Sequence, residues 1–229
     1  MILTILQARM SSTRLPGKVL RPLAGEPMIG RQVERLRRAR RLDRLVVATS
    51  VGPEDDPLAA YCEGLGLEVF RGPLDDVLGR FAGAIGAFGP AEAVVRLTAD
   101  CPLADPRVID EVVLTHMESG ADYTSNVLPV RTFPKGLDVE VARTEALLAA
   151  AAEAVDPYER EHVTPFLYRR PERFRIASVE RSPSQADLWW TVDTPQDYAF
   201  VSDIYQRLYP VKPDFTSQDV LQLTGGEAS

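Results

Sequence analysis

Three cations within ten residues set the first chemical question this chain poses. The stretch QARMSSTRLPGKVL, residues 7 to 20, carries Arg9, Arg14 and Lys18 among Ser11, Ser12, Thr13 and Gly17. Small residues let backbone N–H groups approach an anion, while guanidinium and ammonium groups neutralise its charge. A polyphosphate fits that description. An exposed basic loop without a ligand fits it too, and residue types alone leave both readings open. The order of residues is neither a GxxxxGK(S/T) phosphate loop nor a GxGxxG dinucleotide turn, so P-loop NTPases and Rossmann dehydrogenases lose support.

Carboxylates supply the second question. In VVRLTADCPLADP, residues 94 to 106, Asp105-Pro106 reads as a helix N-cap with proline at the first helical position, which leaves Asp100 without a local task. In WWTVDTPQDY, residues 189 to 198, Thr194 and Asp197 form a Thr-x-x-Asp helix start close to a capping box, which leaves Asp193 over. A loop aspartate just past a strand end is a candidate Mg²⁺ ligand.

Other stretches stay open. RGPLDDVLGRF, residues 71 to 81, is either a helix start with Asp75 and Asp76 in its first turn or a frame in which Arg71 and Arg80 meet nucleotide or sugar. Asp138 and Glu140 of FPKGLDVEV are the polar face of a strand or substrate contacts. His162 in YEREHVTP reads as an ordinary helix residue, and His116, Cys62 and Cys101 as structural.

The elements that must position these groups alternate from the start. Residues 1–6, 45–48, 67–70 and 93–97 are short apolar runs of strand character. Helical patterns fall between them: one opening at Pro27 with Met28, Ile29, Val33 and Leu36 at helical spacing, then 55–65 and 75–88, then one marked by Val108, Ile109, Val112 and Val113. Strands are expected at 121–125, 137–141, 174–178 and 188–192, and helices at 143–154, 157–169 and 196–208. This order predicts an α/β fold whose mostly parallel sheet is covered by helices on both faces, with ligands beyond the carboxyl ends of the strands. A single domain over 1–209 is expected, followed by a loose tail, 210–229, rich in Pro, Gly and Ser.

Composition narrows the class. The chain has 229 residues with a formal charge of -7, divided into +8 over residues 1–44 and -15 over the remaining 185. A basic opening on an acidic body suits an anionic ligand in front and a cation site behind. Most of the arginines from Arg35 to Arg44 are expected on the solvent face and in the last turn of a helix, where cations complement its dipole. No aromatic side chains interleave with them, so nucleic acid is not expected as a partner. Two cysteines are too few for a disulfide framework, no apolar run approaches a membrane span, and MILTILQARM lacks signal-peptide order. A cytoplasmic protein is the expectation.

The order of residues in the 7–20 loop resembles the opening signature of the CMP-sugar synthetases that act on Kdo and acylneuraminates, most of all the spore-coat polysaccharide biosynthesis protein F type of cytidylyltransferase. The VDTP segment at Asp193, Asp100 past its strand, and the 71–81, 133–141 and 158–165 segments are similar to that family in the same order, over roughly residues 2–209. Ala99 departs from it, standing where relatives often have glycine. The resemblance implies a three-layer α/β/α nucleotidyltransferase fold with a mostly parallel mixed sheet, and typically a homodimer. It implies transfer of CMP from CTP to a sugar or sugar acid with release of pyrophosphate, for activated-sugar biosynthesis. It also implies catalytic roles for Arg9, Lys18 and Asp100, Mg²⁺ held by Asp100 and Asp193, and substrate contacts from Ala8, Ser12, Arg14, Arg71, Arg80, Asp138 and Glu140. Another nucleotide or a non-sugar acceptor is the alternative within the enzyme class; a non-catalytic module that binds nucleotide or nucleic acid is the alternative outside it.

Overall fold

Short apolar runs buried on both faces build the centre of the molecule, which a computed structural model describes over residues 1–225. In chain order the elements are β1 (Ile2–Gln7), a small hairpin of β2 (Pro22–Leu23) and β3 (Glu26–Pro27), α1 (Met28–Leu36), β4 (Arg44–Ser50), α2 (Asp56–Gly64), β5 (Glu68–Gly72), α3 (Val77–Phe88), β6 (Ala93–Thr98) and α4 (Pro106–Ser119). Then follow β7 (Tyr123–Ser125), β8 (Glu140–Arg143), α5 (Thr144–Glu153), α6 (Pro157–His162), α7 (Pro165–Tyr168), β9 (Ile176–Ser178), α8 (Pro195–Leu208) and α9 (Ser217–Thr224).

Seven strands form one sheet in the order β5-β4-β1-β6-β8-β7-β9. β5, β4, β1 and β6 run parallel, β8 is antiparallel to both β6 and β7, and β9 is parallel to β7. Alternation along β1 sorts its side chains: Leu3 and Ile5 pack with Phe81 of α3, Leu147 of α5 and Leu167 of α7, whereas Ile2 and Leu6 pack with α1, α4 and α8. The result is the expected three-layer α/β/α arrangement with a mostly parallel mixed sheet.

Several boundaries differ from the sequence reading, each for a local reason. The 137–141 run keeps its alternation, with Leu137, Val139 and Val141 buried on one face, yet only 140–143 joins the ladder. The Asn126 side chain takes over the pairing before that, donating to the Leu137 carbonyl and accepting from the Val139 amide. The 188–192 run joins no strand of the sheet among the described residues; it forms an isolated bridge from Trp189 to Lys135, outside the strands. The 157–169 helix is split in two. Val163 sits at φ 73° and ψ -55°, a strained γ-turn that the Thr164 amide closes onto the His162 carbonyl, and Pro165 then starts α7.

The expected loose tail does not hold over its described part. Phe215 and Val220 are fully buried in the same core layer as α1 and α8, and Thr216 and Asp219 form a capping box at the start of α9. The Phe215 ring meets Tyr205 edge-on and carries the Arg35 guanidinium 4.2 Å from its centroid. Arg35 is therefore an exception to the mostly solvent-facing arginines expected from 35 to 44, whose other members are exposed or half-buried. It is buried, donates to the Ala104 and Leu103 carbonyls, and is pushed below its ordinary pKa by that burial. Residues 226–229 of the expected tail lie outside the described residues.

Candidate active site

The loop after β1 is folded back on itself and clamped from two sides. Gly17, at φ 69°, lets its amide reach the Met10 carbonyl at 3.0 Å, which closes the loop before the short 3-10 turn at Lys18–Leu20. On the other side, the Met10 amide donates to Asp55 at 2.6 Å. Asp55 is fully buried, and its second oxygen accepts from the Ser50 amide at 3.1 Å and hydroxyl at 2.5 Å. Burial pushes the Asp55 pKa up, but the Ser50 hydroxyl and the Met10 and Ser50 amides outweigh it and hold the carboxyl below its usual range. The loop is thus tied to the end of β4 by an anion that stays charged.

This fold of the loop leaves a cavity of about 490 Å³ beyond the carboxyl ends of β1 and β6, within the size range of small-molecule sites. The loop contributes Ala8, Arg9, Ser11, Ser12, Thr13, Arg14 and Lys18; the end of β6 and its loop contribute Thr98, Ala99 and Asp100; the approach to α8 contributes Asp193. The two leftover aspartates of the sequence, 93 positions apart, meet here. Lys18 Nζ donates to Asp193 Oδ1 at 3.0 Å, to the Val192 carbonyl at 2.7 Å and to Asp100 Oδ2 at 3.4 Å, and Arg14 reaches Asp193 at 3.2 Å.

Local bonds aim both carboxylates. Thr98 Oγ1 and Cys101 Sγ donate to Asp100 Oδ1 at 2.7 and 3.4 Å. Burial pushes the Asp100 pKa up, yet Lys18 together with these donors pulls it below the ordinary value, so it is an anion at neutral pH. The Val192 amide donates to the Asp100 carbonyl at 2.8 Å, locking the two segments together. The helix start behind Asp193 is the anticipated capping box, in which Asp197 accepts from the amides of Asp193 and Thr194. Asp105 likewise caps α4, and it also accepts from the Ser217 amide.

Beyond Asp100 and Asp193 lies a smaller recess of about 180 Å³, lined also by Arg96, Cys101, Lys135, Asp138, Glu140 and Thr191. Asp138 is held by Arg131 in a two-pronged pair at 2.6 and 2.9 Å. Glu140 is more enclosed. One oxygen accepts from Tyr123 and Thr164 hydroxyls, each at 2.5 Å, and the other pairs with Arg96. Although burial lowers it, the Arg96 guanidinium is raised above its ordinary pKa by Glu140, and the Tyr123 hydroxyl is pushed well above its own by burial and by Glu140. Glu140 is therefore bound up in orienting Arg96, and Asp138 in pairing with Arg131.

Arg71 and Arg80 line neither space. Arg71 donates to the Ser50 and Gly52 carbonyls, each at 2.9 Å, and pairs with Asp56 at 2.6 Å, bracing the β4 loop from outside. Arg80 is fully buried and donates to the Pro73 carbonyl at 2.8 Å; burial, and next the charge of Arg9, lower its pKa. Asp76 caps α3 through the Gly79 amide and pairs with Arg160, a structural use of the 71–81 stretch. His162 is exposed against Tyr158.

Sequence reasoning passed over Asp55, Thr98, Arg96 and Lys135. Thr98 stands two positions before Asp100 on the same side of the strand path, and Asp55 stands in an acidic run after β4; both signals are visible in hindsight of spacing alone. Arg96 and Lys135 are single basic residues without any neighbouring pattern.

A family model for cytidylyltransferases matches residues 3–211. The spore coat polysaccharide biosynthesis protein SpsF of Bacillus subtilis is 36% identical over 97% of this chain and 93% of its own. A 3-deoxy-manno-octulosonate cytidylyltransferase of Geobacter sulfurreducens is 38% identical over 52% of this chain and 47% of its own. Among solved structures, a cytidylyltransferase from Leptospira borgpetersenii superposes with a TM-score of 0.92 at 28% identity, covering 98% of this chain and 93% of its own.

Proposed function

The chain belongs to the cytidylyltransferase family, and from that membership we propose how its two adjoining cavities divide the work of transferring CMP from CTP to a sugar or sugar acid. The observation that carries the reading is the convergence of Arg9, Arg14 and Lys18 with Asp100 and Asp193 on one cavity. A triphosphate brings the negative charge that the loop cations are placed to neutralise, and the small residues Ala8, Ser11 and Ser12 leave room for its oxygens.

Asp100 and Asp193 suit a divalent metal. Both carboxylates already converge on one cation, the Lys18 ammonium, and they offer hard oxygen donors. Among the described residues no group of three or more His, Cys, Asp or Glu gathers as a complete cage. That fits Mg²⁺, which takes one or two carboxylates and completes its shell with water and substrate phosphates. When bound, Mg²⁺ supplies charge neutralisation at the α-phosphate and lowers the pKa of the attacking hydroxyl.

The acceptor hydroxyl oxygen forms a bond to the α-phosphorus, the bond from that phosphorus to the bridging oxygen breaks, pyrophosphate leaves, and the hydroxyl proton passes to solvent. Arg9, Arg14 and Lys18 hold the β- and γ-phosphates and stabilise the charge that builds on the leaving group. Thr98 and Cys101 hold Asp100 in place, and the capping box behind Asp193 does the same for its partner, so the two carboxylates would be held ready for the divalent ion. The smaller recess takes the acceptor.

Among the described residues no helix is long and apolar enough to cross a membrane, and we place the enzyme in the cytoplasm as a homodimer, serving polysaccharide biosynthesis as the name of its SpsF relative suggests. The functional test is pyrophosphate release with CTP, UTP, GTP or ATP, with Mg²⁺ and a panel of Kdo, neuraminate and simpler sugar acids. Release with CTP and at least one of these acceptors is the expected result. Equal release from all four nucleotides would remove the base specificity, and a non-sugar acceptor outperforming the panel would redirect the acceptor half.

A further inference from the structure

Asp100 stands on a loop that its own backbone barely shapes. Between Thr98 at the end of β6 and Asp105 before α4, the backbone bond that closes within the loop among the described residues runs from the Ala104 amide to the Cys101 carbonyl, at 3.0 Å. Pro102 has no amide to give. Carbonyls of the loop turn instead to side chains beneath it. The Thr98 carbonyl accepts from the Gln32 side chain at 2.9 Å, the Pro102 carbonyl from the Tyr205 hydroxyl at 2.7 Å, and the Ala104 and Leu103 carbonyls from Arg35 at 2.8 and 3.5 Å.

These three donors are fully buried and come from two helices. Gln32 and Arg35 stand three positions apart on α1, hence on one face, and they take hold of the chain on either side of Asp100. Tyr205 belongs to α8, whose first turn accepts the Asp193 amide through Asp197. One rigid helix thus carries Asp193 at its start and grips the loop of Asp100 from its body.

Arg35 is the costly member. Glu34 pairs with Arg31 and Arg38, and Asp105 gives its oxygens to the Arg107 and Ser217 amides, which leaves Arg35 without an ion pair among the described residues. Burial lowers its pKa, and Tyr205 and then Asp105 offset this only in part. Its Nη1 finds no hydrogen-bond partner there either. A guanidinium so placed costs more than an apolar side chain of similar volume. What it offers in return is a planar fork that reaches two successive carbonyls at once.

We propose that Arg35 is a positioning residue for cytidylyl transfer: with Gln32 and Tyr205 it holds the 98–104 loop from beneath and so fixes Asp100 relative to Asp193 for a shared divalent ion. The proposal rests on the reading of those two aspartates as the metal pair. Arg35 itself lines neither cavity. Phe215 covers its guanidinium with a ring 4.2 Å away, and that ring donates nothing to the loop, so packing and positioning come apart by substitution.

The readout is the factor by which Mg²⁺ tightens CTP binding to the full chain, from calorimetric titrations with and without the metal and with no acceptor present. Arg35→Met cuts this factor about tenfold, as removal of a group that orients a metal ligand does. Gln32→Met and Tyr205→Phe, each losing one neutral donor, cut it about threefold. Metal-free CTP binds all three variants as tightly as the wild type, and Phe215→Ala keeps the wild-type factor although it unfolds more easily. A folded Arg35→Met with the wild-type factor overturns the proposal. So does a Phe215→Ala that loses as much of it as Arg35→Met, because loosened packing would then account for both. Should Arg35→Met not fold, the wild-type factor in both Gln32→Met and Tyr205→Phe overturns the proposal instead. Asp100→Asn guards the premise: a wild-type factor there overturns the metal-pair reading, and this inference with it.

Discussion

The two adjoining cavities are built from opposite electrostatic plans. In the larger one Arg9 is exposed and, among the described residues, forms no ion pair, and Arg14 has a side chain 61% exposed, so positive charge stands ready for a mobile polyanion. In the smaller one Glu140, Arg96, Asp138 and Arg131 cancel one another in close, largely enclosed pairs, and Lys135 is left over. The contrast follows from what each must hold. A triphosphate is recognised by total charge, which exposed cations on a clamped loop supply; an acceptor is recognised by shape and one or two fixed groups, which demands side chains already held by partners. Asp100 and Asp193 stand on the boundary and line both.

Substitutions at that boundary separate the two plans most strongly. Asp100→Asn and Asp193→Asn each reduce Mg²⁺-dependent pyrophosphate release by about a thousandfold or more, since several kcal/mol of metal-borne stabilisation are lost, while thermal unfolding shows the fold intact. Turnover near the wild-type rate in either variant would break the assignment of the pair. In the larger cavity, Lys18→Ala lowers kcat about a hundredfold and raises KM for CTP, with KM for the acceptor little changed; steady-state kinetics varying each substrate in turn reads this directly.

Asp55→Asn tests the loop without touching the nucleotide. It replaces an acceptor facing Ser50 with a donor, so the Met10 clamp loosens and KM for CTP rises about tenfold, in line with other supporting bonds, at a stability cost of about 1–3 kcal/mol. Unchanged KM would show that the loop holds its shape unaided. Far from both cavities, Phe215→Ala costs about 3–5 kcal/mol in denaturant unfolding, with kcat per folded molecule preserved. The smallest effect is a pH dependence. His116 is buried against Thr124, and burial lowers its pKa from 6.5 to about 4. The unfolded chain therefore binds the proton more readily, and stability is lost as pH falls from 6.5 towards 4, by about 2 kcal/mol after allowance for solvent screening. His116→Gln flattens that stretch of the stability curve.

The larger cavity was legible in the sequence because its cations and small residues are contiguous, and because capping rules absorbed Asp105 and Asp197, which left Asp100 and Asp193 standing out. The smaller recess was legible only in part: Asp138 and Glu140 stood among the expected substrate contacts and line it, whereas Arg96 and Lys135, from a strand and a turn 39 positions apart, sat inside the same quoted stretches without being singled out. Arg71 was misleading for a related reason: an arginine after a strand can face a cavity or the carbonyls of the next loop, and the β4 turn geometry decides for the carbonyls. Arg35 and Phe215 taught the same lesson about burial. Each looked exposed by its neighbourhood in sequence, and each finds its partner in the other, 180 positions away.

At the fold level, periodicity placed the alternating strands and helices of the first half well, because parallel strands buried on both faces are continuous apolar runs. It failed where side chains replaced the ladder, at Asn126, and where strain broke a helix, at Val163. Those are tertiary effects that no window of sequence contains.

The central claim is that the loop cations and the two boundary aspartates together hold CTP with a divalent ion. Calorimetric titration of the protein with CTP and with ATP, each with and without Mg²⁺, tests it most directly when repeated on Asp100→Asn and Asp193→Asn. The account predicts at least tenfold tighter binding of CTP than ATP, strengthened by Mg²⁺ in the wild type and indifferent to Mg²⁺ in both variants. Equal affinity for the two nucleotides, or a Mg²⁺ effect that survives both substitutions, would contradict it.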